Sequence, residues 1–133
     1  MTNDSDGPRK RVRGRVLMIE TDPDMLDHYR AQLKRAKALD GWEISAHGNW
    51  TDATATGADH DVVVLGTDHR NKVATGIFIR RALQYFPGAK IVLHTPDADK
   101  TRHDSIFASV PKQSRIEPLA ATIRTVRSRP RTA

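Results

Sequence analysis

Four carboxylates crowd one short stretch of this chain, Glu20, Asp22, Asp24 and Asp27, and acids at that density are the usual material of a hard-cation site or an acid–base pair. Most have a simpler use. Asp22 precedes Pro23, which suits the first position of a helix, so it stands where an N-cap is wanted. Asp24 and Asp27 then fall in the first helical turns, facing the positive end of the dipole. Only Glu20 is left without a local structural duty. The six histidines, His28, His47, His60, His69, His94 and His103, offer no i, i+4 pair with a carboxylate partner, and they read as scattered surface side chains with no metal site. His94 stands apart because it precedes Thr95 at the end of an apolar run, where a pH-sensitive hydrogen bond beside Glu20 is open to it. There is no cysteine, which excludes thiol nucleophiles, thiolate metal sites and a disulfide framework. No nucleophile with its base, no glycine-rich phosphate loop and no metal-ligand set is visible, so an enzyme is not expected.

The elements that position these residues alternate between short apolar runs and amphipathic segments, the pattern of a parallel sheet wound with helices. Strands are predicted at Arg15 to Glu20, Trp42 to His47, Asp61 to Gly66, Lys90 to Thr95 and Ile106 to Val110. The third, DVVVLG, is the clearest, being apolar without alternation as a strand covered on both faces should be. Helices are predicted over residues 23–38, over 49–58, around Ile77, Phe78, Ala82, Leu83 and Phe86 up to Pro87-Gly88, over a short segment from Asp97 to Asp104, and from Ser114 to about Arg127. Ser114 and Glu117 have the spacing of a capping box, and Pro118 falls in the first turn. Five such units make a three-layer α/β sandwich, with chemistry expected at the carboxyl ends of the strands.

The order of elements and the residues at the strand ends resemble the receiver domains of response regulators, over roughly residues 15–127. The resemblance implies a CheY-like, flavodoxin-like topology with strand order 2-1-3-4-5 and helices on both faces. It places Glu20 at the family's first acidic position, Thr21 at the second with Asp22 one residue later, Thr95 at the hydroxyl position and Lys112 at the lysine. Pro111 precedes that lysine, where the family usually has a proline after it. The phosphorylated aspartate of the family falls on Gly66, which has no side chain to attack a phosphoryl donor and no oxygen for magnesium. Glu20 and Asp22 without a third carboxylate make a poor magnesium cage, and the aromatic switch position falls near Ser109. The resemblance therefore implies a degenerate pocket of Glu20, Thr21, Asp22, Gly66, Thr95 and Lys112, without cofactor. A module of this kind signals through protein contacts rather than by phosphorylation, self-association through its last two strands and helices included. A second register keeps a phosphorelay acceptor, Asp68, eight residues before Gly76.

Charge is distributed unevenly along the 133 residues, whose net charge is +6. Arg9, Lys10, Arg11, Arg13 and Arg15 outweigh Asp4 and Asp6 near the start, and Arg124, Arg127, Arg129 and Arg131 crowd the end, while the middle is close to neutral. The reading is a basic tail over residues 1–14, one domain over 15–127 and a second basic tail over 128–133. Arg9, Lys10, Arg11, Arg13, Arg127, Arg129 and Arg131 suit nucleic acid or an acidic protein, in a salt-dependent and sequence-independent manner. No run is long and apolar enough for a membrane span or an export signal, so the expected location is the cytoplasm and a membrane partner is not expected.

Overall fold

The computed structural model describes residues 12–57, 59–67, 72–96, 106–112 and 115–129. Five strands form one parallel sheet: β1 (Arg15–Glu20), β2 (Glu43–His47), β3 (Val62–Gly66), β4 (Lys90–Thr95) and β5 (Ile106–Pro111), in the order β2-β1-β3-β4-β5. β3 is central, and its five residues are all buried, as the unbroken VVVLG run requires. Side chains alternate between two cores, one on each side of the sheet. Val16, Met18, Val62, Val64 and Val92 enter the first, beneath α1 (Pro23–Arg35) and α4 (Glu117–Ser128). Leu17, Ile19, Val63, Leu65, Ile91 and Leu93 enter the second, beneath α2 (Trp50–Thr54) and α3 (Lys72–Tyr85).

α1 starts as expected: the Asp22 carboxylate accepts the Asp24 amide at 3.1 Å and Pro23 opens the helix. It ends earlier than predicted, because Ala36 is extended (φ −69°, ψ 126°) and a 3-10 turn over Lys37–Leu39 follows. That turn drives Leu39 into the first core with Ile123 and Val126, and Gly41 at φ +80° reverses the chain into β2. Trp42 precedes the strand rather than opening it. Its indole lies flat over Gly14, where a β-carbon would stand 2.7 Å from the ring, so position 14 admits only glycine without movement.

α2 is shorter than its predicted 49–58, being capped by Asn49 and unwinding into a turn at Ala55, whose threonine- and glycine-rich surroundings hold a helix weakly. α3 begins at Lys72, ahead of the apolar positions that marked it. β5 runs one residue further than expected, to Pro111, which an edge strand tolerates, and its pairing with β4 shifts register opposite Ile91 and Val92. α4 corrects the capping box: the N-cap is Ile116, with no side-chain cap, and Pro118 sits in the first turn. Ser114 and the predicted Asp97 to Asp104 segment lie outside the described residues. Among the described residues no helix is long and apolar enough to cross a membrane.

Candidate functional site

The alternation that sends Met18, Val64 and Val92 into the first core places Glu20, Gly66 and His94 on the same side two residues further on, at the carboxyl ends of their strands. The register makes them neighbours in a row: Glu20 pairs with Gly66, Gly66 with His94, and His94 with Val110. Because Gly66 has no side chain, the Glu20 carboxylate leans over it. A β-carbon at position 66 would collide with Glu20 Oε1 and stand 3.0 Å from its carboxyl carbon. From there Glu20 meets Lys112, whose Nζ lies 3.0 Å from Oε1, with the two side chains 1% and 9% exposed. The second oxygen, Oε2, accepts the Asp22 amide at 3.3 Å. A buried carboxylate is tolerable only when its charge is met in this way.

The other predicted positions divide. Thr95 is buried at the tip of β4, and its carbonyl accepts the Lys112 amide at 3.1 Å, which fixes the lysine backbone after Pro111. Pro111 ahead of the lysine therefore leaves the reach to Glu20 intact. Asp22 spends its carboxylate on capping α1, and Thr21 faces solvent. Asp68 lies outside the described residues. Among the described residues no three histidines or acids gather as ligands; of the described rim positions, Glu20 is paired with Lys112, Asp22 caps the helix, and Gly66 brings no oxygen.

Of the histidines, His28 is exposed as expected, whereas His60 departs from the surface reading and His94 lies buried at the strand end. His94 is 2% exposed and stacks edge-on against Tyr29 of α1, with ring centroids 4.8 Å apart, while His60 is 6% exposed at the other end of the sheet. His60 Nε2 lies 2.9 Å from the Thr56 hydroxyl, its ring stands against Phe86, and burial, followed by the Arg15 charge, pushes its pKa below 6.5. Thr67, also buried at the rim, was not singled out from the sequence, although a hydroxyl directly after the tip of the central strand was a signal for it. Ser109 is half-buried on β5 opposite Leu93. Trp42 and Trp50 are both half-buried, and the exposed Arg81 lies over the Trp50 ring at 5.6 Å. Of the basic positions, Arg13, Arg127 and Arg129 are exposed, whereas Arg9, Lys10, Arg11 and Arg131 lie outside the described residues.

This arrangement of strands is shared with solved structures. A response regulator from Thermotoga maritima superimposes with a TM-score of 0.61 at 14% identity, covering 87% of this chain and 98% of that one. The chain has the receiver fold. The BeF3-activated DrrB receiver domain matches at a TM-score of 0.60 and 15% identity over 87% of this chain and 98% of its own. A DNA-binding response regulator of the LuxR family from Staphylococcus aureus matches at 0.59 and 19% identity, over 86% and 99% respectively. No protein-family model and no characterised protein matches the sequence. At these identities the likeness is one of receiver fold, and the rim residues have to be read on their own chemistry.

Proposed function

We propose that this chain is a pseudo-receiver, a regulatory module that keeps the receiver scaffold, does not take up a phosphoryl group, and acts by contact with other proteins rather than as an enzyme. The observation that carries this reading is the Glu20 carboxylate lying over Gly66 and tied to Lys112. The space a side chain at 66 would enter is filled, and the lysine that could face an incoming phosphoryl group is already neutralised. Phosphoryl transfer to a carboxylate also depends on a divalent cation to offset charge, and the oxygens for one are committed elsewhere. Such a pocket favours one conformation over a toggle between two.

The test is incubation with acetyl phosphate and magnesium followed by intact mass. The native chain should gain no phosphoryl group, and Gly66→Asp should gain none either, since the new side chain enters space held by Glu20. A single adduct on the native chain that disappears in Asp68→Ala would overturn the proposal in favour of a displaced phosphorelay acceptor.

A further inference from the structure

The opposite end of the sheet, where the strands begin, carries the charge. The lead into β1 and the ends of α1 and α4 meet there along two adjoining hollows that share Lys37, Asp40 and Trp42, the larger of about 570 Å³. Arg13, Lys34, Arg35, Lys37, Arg124 and Arg127 line them, against Asp40 as the one acid. The nearby acids are otherwise engaged: Glu43 and Asp59 pair with Arg15, and Asp61 accepts the Arg15 amide and faces Arg127 at 3.9 Å. Arg13, Lys34, Arg35, Lys37 and Arg124 make no ion pair with any described residue. Lys34, Arg35 and Arg127 have a bland use in the last turns of their helices, where they complement the dipoles. Arg13, Lys37 and Arg124 have none. Clustered like charge works against the compact state, and an anionic ligand would relieve it.

We propose that this face binds double-stranded nucleic acid through the phosphate backbone, without reading bases. Four of the six cations are arginines, whose planar fork matches phosphate oxygens in pairs. They line concave surface formed by three separate segments rather than one face of a single helix. Among the described residues the exposed large apolar side chains Val73, Ile77 and Tyr85 belong to α3 on the other layer, and on this face a protein partner or a lipid surface would meet Val12 and the half-buried Trp42 amid six cations. The proposal is independent of the phosphorylation reading, since the two sites lie at opposite ends of the strands.

Fluorescence anisotropy with a short mixed-sequence DNA duplex tests it, using the full chain. Each phosphate contact contributes a slope of about −0.9 in log affinity against log salt, so four to six contacts predict a loss of roughly 10² to 10³ in affinity between about 50 and 200 mM salt. Lys37→Glu with Arg124→Glu, both at exposed positions, should weaken binding at least tenfold and reduce the slope by about 2. Arg80→Glu with Arg81→Glu changes the net charge equally on exposed α3 positions and should keep the native slope; far-UV circular dichroism establishes that both variants are folded. Absence of binding by the native chain at low salt, an unchanged slope in the first variant, or equal weakening by both would overturn the proposal. Tighter binding of polyglutamate or phosphatidylserine vesicles than of the duplex would overturn it as well.

Discussion

Glu20 and Lys112 are held where neither charge can be left alone, and this sets the energetics of the rim. Removing one partner of a buried pair typically costs about 3–5 kcal/mol, whereas replacing both by apolar side chains of similar volume is often neutral or stabilising. Lys112→Met should therefore lower stability by about 3–5 kcal/mol, and Glu20→Met with Lys112→Met should recover most of that loss, as a double-mutant cycle by urea denaturation would measure. A neutral Lys112→Met would mean the pair does not hold the pocket. His60 gives a second expectation. Its folded pKa lies below 6.5, so as pH falls the unfolded chain takes up the proton first. Stability should be level above about pH 6.5 and decline below it until the folded value is passed, and His60→Gln should flatten that decline in denaturation curves collected across the window. The local reading left Glu20 unexplained, and the resemblance to receiver domains added Gly66, Thr95 and Lys112 at the strand ends. The same local reading misplaced His60, because burial of a lone imidazole depends on which elements cover it.

α4 shows how an element is finished by a residue far from it in sequence. Lys90, at the start of β4, donates to the carbonyls of Val126 at 3.1 Å and Arg127 at 3.0 Å, and to that of Arg129. One ammonium thus satisfies the orphan acceptors at the helix end and opposes the negative pole of its dipole. Lys90→Met should cost about 1–2 kcal/mol in chemical denaturation and speed hydrogen exchange at the last turn of α4, leaving the first turn unchanged. The helix was legible as running from Ser114 to about Arg127, and it buries Leu119, Ala120, Ile123 and Val126; the Lys90 contact was not legible, as nothing local encodes it. The end of α1 misled for a related reason. Lysine and alanine favour continued helix, but the chain turns at Ala36 because burial of Leu39 against α4 outweighs that weak preference.

The two cores share the same five strands, so neither layer can melt without exposing one side of the sheet. Trp42 reports on the first core and Trp50 on the second. Single-tryptophan variants, Trp42→Phe and Trp50→Phe, should give urea transitions coincident with each other and with far-UV circular dichroism, whereas separated midpoints would reveal two cooperative units. The alternation of strands and helices was decided by composition and period: β-branched runs buried on both faces, a capped first helix, glycine and proline at the breaks. So were the lack of an oxygen at position 66 and the basic character of the chain ends. Only the folded chain decided that Glu20 would lie over Gly66 and reach Lys112, and that Arg13, Lys37 and Arg124 would share one face. Periodicity tells which side of a sheet a residue occupies, but the identity of its neighbour depends on lateral register and on where helices end. Those are set by long-range packing, in which residues distant along the chain are brought side by side.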